Sequence, residues 1–291
     1  MSSRLELRHA VALGLAQGPT ELLPVSSSGH TTLIPFLARW PYAELDGELR
    51  KSLEIALHAG AGLALAIDMR RELIDATLGL DRRRASVIAL SLAPPAAAGY
   101  ALRPFIERRL GGPRSIAAAL AGGAIAMALA DAGSAGRNRN QLDACPRDGL
   151  ALGLAQAVAL IPGVSRNGAT LTAARARGFG RRDAQTLSWH AALPVILGAG
   201  AVDAARMARR GSPQGARGAL AVGGASAFLS TLASARLLRR PERAERSLLP
   251  YSLYRLLLAG AVIRRLSGRA HGSGCSRARS ARRWVGGAPG L

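Results

Sequence analysis

The chain has 291 residues, 49% of them hydrophobic and only 4% aromatic, with a formal net charge of +21. The charge is nearly all arginine (Lys51 is the one lysine), set in short clusters between apolar runs without interleaved aromatics for base stacking, which excludes a nucleic-acid partner. Cys145 and Cys275 stand alone, without metal-ligand or disulfide spacing, and give no support to redox chemistry.

Taken in order, Arg4 and Arg8 precede an apolar run, Ala10 to Ala16, that stops at Gln17 and Glu21. No small-residue cleavage site follows, so this segment is expected to stay in the mature protein. The stretch Leu5 to Leu37 is apolar but interrupted by Gln17, Pro19, Glu21, Pro24 and three serines. It reads as a helix, a break near Pro24 and a second half-helix starting near Ser26. Irregular backbone at membrane depth is tolerated only where it is buried in protein or lines a cavity.

After a polar loop from Arg39 to Lys51 comes a short apolar run, Leu53 to Ile67, that carries His58. Asp68 to Arg84 reads as a charged connection with five arginines. Ala85 to Leu102 is a predicted span with a kink at Pro94-Pro95. Arg103 to Arg114 is a basic loop, and Ser115 to Ala130 an Ala/Gly-rich span. Asp131 to Asp148 is the clearest hydrophilic linker.

The second half echoes the first. Gly149 to Ile161 leads to a break at Pro162-Gly163 and a half-helix from about Ser165; Arg175 to Asp183 is basic. Leu187 to Ala205 spans, with Pro194 inside it, and Arg206 to Arg217 is a loop. Ala219 to Leu238 and Leu248 to Ile263 are the last spans. Several spans hold only about 15–18 residues, below the roughly 20 of a free-standing transmembrane helix. A soluble Ala-rich helical protein is therefore the bland rival. The small-residue palette and the arginines framing every span favour a membrane bundle. Basic loops alternate on both sides, so charge does not set the orientation.

The halves are related in sequence as well as in pattern. Leu13 to Thr31 aligns without gaps on Leu152 to Thr170 at an offset of 139, with nine identities in nineteen positions. Gln17 falls on Gln156, Val25 on Val164, Ser26 on Ser165, Gly29 on Gly168 and Thr31 on Thr170. This is read as an internal duplication. If the halves pack about a pseudo-two-fold axis, the two breaks meet near the bundle centre, as duplicated membrane proteins often arrange their sites.

The breaks carry the chemistry. Gln17 and Glu21, four apart, share a helix face, and a glutamate in an apolar segment is costly unless paired, hydrated or bound to a cation. Ser26, Ser27 and Ser28 sit where a helix N-terminus offers free N–H groups to a phosphate oxygen, although N-capping by one serine explains them equally. His30 follows on the same half-helix and is the residue type for proton transfer near neutral pH. In the second break Arg166 offers a planar donor fork suited to phosphate, with Ser165, Asn167 and Thr170 as further donors. His58, His190 and Trp189 read as packing residues.

At these residues the chain resembles the undecaprenyl-diphosphate phosphatase family, also known for bacitracin resistance. The match is to its signatures T-E-x-L-P-V-S-S-[ST]-G-H, here Thr20 to His30, and P-G-x-S-R-[SN]-G-A-T, here Pro162 to Thr170. The resemblance implies an all-α integral membrane protein, a multi-span bundle with two inverted repeats, each with a re-entrant broken helix. It implies hydrolysis of C55 isoprenyl diphosphate to the monophosphate on the outer side of the plasma membrane, which recycles the cell-wall lipid carrier. The family's catalytic residues fall on Glu21, Ser27, His30 and Arg166. Ser26, Ser28, Ser165, Asn167 and Thr170 are the expected substrate contacts. A divalent cation, Mg²⁺ or Ca²⁺, is expected at Glu21 and Gln17. The family commonly has glutamate where Gln17 stands, and an amide oxygen is a weaker cation ligand than a carboxylate.

The expected organisation is one membrane domain over residues 1–263, with repeats at about 5–130 and 149–263, and a basic disordered tail over 264–291. Partners are the lipid substrate, the membrane and, in a homodimer, a second copy. An acid-phosphatase-like lipid phosphatase would need a histidine soon after the Ser165-Arg166 pair, and none is there. A transporter or lipid flippase shares the inverted-repeat architecture and is the rival from another class.

Overall fold

The computed structural model describes residues 5–210, 215–239 and 245–271, and among these the secondary structure is helical apart from one isolated bridge between Arg139 and Phe179. The helices are α1 (Leu7–Leu22), α2 (Ser27–Ala38), α3 (Gly47–Asp68), α4 (Arg70–Leu78), α5 (Arg82–Leu110) and α6 (Pro113–Gly133), followed by α7 (Pro146–Val158), α8 (Arg166–Ala176), α9 (Arg181–Arg210), α10 (Arg217–Leu238) and α11 (Leu249–His271). Among the described residues three stretches are long and apolar enough to cross a membrane: Arg82–Ile106, Pro113–Gly133 and Arg217–Leu238. Large apolar side chains such as Leu63, Leu129, Leu229 and Leu257 point outward from the bundle. A lipid-facing surface accounts for them, because a solvated helix places polar residues there.

Both expected breaks are present. After α1 the backbone turns extended at Leu23, and Ser26 caps α2 by accepting the Gly29 N–H. After α7 the chain turns through Gly163, and Ser165 caps α8 by accepting the Gly168 N–H. Shifting Ser27, the first residue of α2, by 139 lands on Arg166, the first residue of α8.

The packing repeats too. Helix α1 lies along α10, while its counterpart α7 lies along α5; α3 meets α10 as α9 meets α5, and α6 and α11 pack on each other. The repeated glycines explain the close crossings. A Cβ on Gly14 would collide with the backbone of Gly223 on α10, and one on Gly153 would collide with Leu90 and Pro94 on α5. Small residues at both crossings let the backbones approach, as lipid-embedded helices require. The core falls into buried clusters, one joining α1, α3 and α10, another joining α5 to α9, and a third joining α2, α6 and α11.

Four expectations need correction. Within the charged connection Asp68 to Arg84, residues 70–78 form a helix, because Glu72 and Asp68 pair with Arg239 and draw the segment against α10. Helix α5 runs on through Pro104 to Leu110, so most of the basic loop expected over Arg103 to Arg114 is helical. The hydrophilic linker has buried ends. Asp131 closes α6, 4% exposed, and holds Arg175 and Arg181 at 3.0 and 2.9 Å. Asp148 opens α7, 1% exposed, and accepts from Arg139 at 2.9 Å, Arg177 at 2.6 Å and the Cys145 N–H at 2.9 Å. Burial opposes its ionised form, but the hydrogen bonds from Arg139, Cys145 and Arg177 outweigh this and hold the carboxyl well below the ordinary range. Finally, α11 continues past Ile263 to His271, and the remainder of the expected tail, 272–291, lies outside the described residues.

Candidate active site

The two breaks meet. A Cβ on Gly29 would lie 3.5 Å from the Gly163 Cα, so the second break packs directly on the start of α2. Asn167 of α8 donates its amide to the Leu22 carbonyl at the end of α1, 2.7 Å away. That bond ties the second break to the first at a carbonyl the α1 ladder leaves free.

Arg255, in the second turn of α11 and 1% exposed, completes the junction. Its guanidinium donates to the Pro24 carbonyl at 3.4 Å and to the Gly163 carbonyl at 3.3 Å, one from each break. Gly123 and Gly168 leave room for it, since a Cβ at either position would press on its nitrogens. Sequence reasoning passed over Arg255 inside the Leu248–Ile263 span. The signal was available: an arginine at the centre of an apolar run is expensive and calls for a partner.

On one side of the junction Arg166 donates to the Glu21 carboxylate, pairing the first residue of α8 with the end of α1. The same guanidinium reaches the Ala192 carbonyl of α9 at 3.5 Å. Gln17 Nε2 donates to the other Glu21 oxygen at 3.1 Å, as the four-residue spacing predicts. Ser27 opens α2 in the break that follows Glu21. Glu21, Gln17 and Arg166 form one cluster, with Ser27, Ser28 and Arg166 partly exposed.

Other expected contacts are committed to the framework. Ser26 and Ser165 spend their hydroxyls capping α2 and α8. Asn167 accepts from Ser188 of α9 at 3.0 Å, and Ser188 and Thr170 share a 2.5 Å hydrogen bond. Ser26 also has φ 76°, a left-handed backbone that costs a residue with a Cβ about 1–3 kcal/mol and that clusters at functional sites. His30 turns to the α11 side: Nδ1 lies 2.7 Å from the Ser26 carbonyl and Nε2 lies 2.6 Å from the Tyr254 hydroxyl.

Among the described residues no three His, Cys, Asp or Glu side chains gather to hold a metal. One observation bears on a cation. Gln17 Oε1 is buried without a partner beside the Glu21 carboxylate, so a hard oxygen donor is left over at this spot. Two protein oxygens fit an ion that takes its other ligands from phosphate and water, as Mg²⁺ commonly does.

The model of the family described as bacitracin resistance protein BacA matches residues 10–261, a range that spans both breaks and Arg255. The chain belongs to the BacA family. It is 38% identical over 279 residues to the undecaprenyl-diphosphatase of Geobacter sulfurreducens, covering 91% of this chain and 100% of that protein. The Geobacter metallireducens undecaprenyl-diphosphatase is 38% identical over 269 residues, covering 88% and 96% respectively. That of Thioalkalivibrio sulfidiphilus is 32% identical over 274 residues, covering 89% and 98%. Coverage of this kind places the α1–α2 and α7–α8 breaks and the junction residues of α11 inside the shared BacA region.

Proposed function

We propose that the chain hydrolyses undecaprenyl diphosphate to the monophosphate and phosphate, the activity named for its BacA relatives, and does so where the two breaks meet. The observation that carries this reading is the Arg166–Glu21 pair in the break that ends at Ser27, which sets a guanidinium fork and a carboxylate at one partly open spot. Phosphoryl transfer asks mainly for positioning and charge neutralisation. Arg166 binds the non-bridging oxygens of the terminal phosphate, exchanging part of its hold on Glu21 for the substrate. The attacking oxygen is Ser27 Oγ or a water in its place, and Glu21 orients it. His30 takes up the proton released. The bond between the terminal phosphorus and the bridging oxygen breaks, and the lipid monophosphate leaves; where Ser27 has attacked, a water then breaks the Ser27 O–P bond and frees phosphate and the hydroxyl.

A divalent cation, when bound, neutralises charge on the diphosphate; Glu21 and the spare Gln17 oxygen are the residues that would hold it. The duplication at offset 139 and the exchanged packing of α1 on α10 and α7 on α5 support inverted repeats, with each broken helix re-entering the membrane. The resemblance supports an active site facing the outer side, and a homodimer is one assembly open to the chain. Labelling of Ser28→Cys by a membrane-impermeant thiol reagent tests the side, and light scattering in detergent tests the assembly.

The activity is tested by phosphate release from undecaprenyl or farnesyl diphosphate with pure protein in detergent. Detergent has no two sides, so a transporter releases nothing there. Monodisperse protein that releases no phosphate would overturn the reading.

A further inference from the structure

His30 is 5% exposed and both its ring nitrogens are engaged. The Ser26 partner is a backbone carbonyl, which only accepts, so Nδ1 carries the proton and donates it. Neutral Nε2 is then the acceptor, and the Tyr254 hydroxyl donates to it. The rings are 5.7 Å apart and nearly parallel, at 6°, so the tyrosine lies alongside the imidazole and holds it in place. A second proton enters His30 only at Nε2, and Tyr254 occupies that nitrogen. Tyr254 itself is 45% exposed, and among the described residues its hydroxyl bonds only to His30. Arg255, the next residue, is turned inward to the two breaks, so this pair divides the labour of α11 between them.

We propose that Tyr254 is a proton-relay residue that acts through His30, the link by which His30 exchanges its proton with the attacking hydroxyl or water of the site. The hydroxyl passes its own proton to Nε2, and its oxygen takes one from that attacking hydroxyl or water. The result is an imidazolium and one deprotonated oxygen beyond the tyrosine. The phenol is neutral before and after, and the reverse hop resets it. This rests on the reading of His30 as the proton acceptor of the hydrolysis.

The test replaces Tyr254 with 3-fluorotyrosine and 3,5-difluorotyrosine, which keep the ring and the hydrogen bond while making the phenol more acidic. Tyr254→Phe is measured beside them. Expected are a kcat that moves with phenol acidity, at least a tenfold loss of kcat in Tyr254→Phe with KM within twofold, and a larger solvent isotope effect in that variant. His30→Gln alone and His30→Gln with Tyr254→Phe should then be equally impaired, because groups acting as one unit do not add. A kcat indifferent to fluorination, a loss confined to KM, or additive losses in the double variant would overturn the relay. An active His30→Gln would instead remove the role of His30 and leave the phosphatase reading intact.

Discussion

Arg166 and Glu21 stand 145 residues apart in the chain and form one ion pair across the meeting point of the two breaks. The pair sets a guanidinium at the start of one short helix against a carboxylate at the end of another. Neither break makes a site alone, and only their contact does.

Arg166→Lys keeps the charge and loses the fork that spans Glu21 and the Ala192 carbonyl and that, in the proposed reaction, meets the phosphate. Its rate of phosphate release should fall on the order of 10²–10³-fold. Removing Arg82, Arg83 and Arg84 together, all exposed at the start of α5, should change the rate only several-fold and mainly at low salt. Near-normal turnover by Arg166→Lys alongside a collapse of the triple variant would put the site elsewhere.

Gln17→Glu adds a charged oxygen one turn from Glu21, where Gln17 Oε1 is already without a partner. Tighter cation binding is expected, read as a larger rise in melting temperature on adding Mg²⁺ or Ca²⁺ than in the parent protein. An equal or smaller rise would mean that no cation sits between these residues.

Arg255→Leu removes both donors that join the breaks and leaves the Pro24 and Gly163 carbonyls buried without them. A carbonyl stranded in this way costs about 1–3 kcal/mol. The variant should melt lower and lose activity below its melting temperature, because the Glu21 and Arg166 segments are no longer held together. Wild-type melting and turnover would show the bridge to be dispensable.

Gly14→Val and Gly153→Val should each destabilise by about 1–3 kcal/mol or more, since both crossings leave no room for a side chain. Gly122→Ala, with nothing within 4 Å of the added carbon, is the matched control and should be neutral or slightly stabilising. Thermal melts in one detergent compare all three.

Asp148→Asn breaks the anchor between Arg139, Arg177 and the start of α7. Losing one partner of such a buried network costs about 3–5 kcal/mol. Because the folded-state carboxyl titrates below its unfolded value, its contribution is present above the unfolded pKa, roughly 4, and fades as pH falls further toward the folded value. The parent should therefore lose stability below about pH 4 more steeply than Asp148→Asn does, in melts followed from pH 7 to 3.

Much of this was legible in the chain. The repeat at offset 139, the two breaks, the capping serines and the pairing of Gln17 with Glu21 all follow from local rules: glycine and proline interrupt helices, serine caps them, and residues four apart share a face. Those same signals set the half-helix starts near Ser26 and Ser165, one residue before the observed starts at Ser27 and Arg166. Tertiary structure alone decided the rest, because long-range pairing leaves little local mark. Asp131 and Asp148 look like solvated linker residues until arginines more than twenty residues away bury them. The run Tyr254-Arg255 looks like part of an apolar span until its helix is laid against both breaks, where one side chain joins them and the other reaches His30. Burying a polar group in this bundle requires a partner, and which partner it finds is set by how the helices cross.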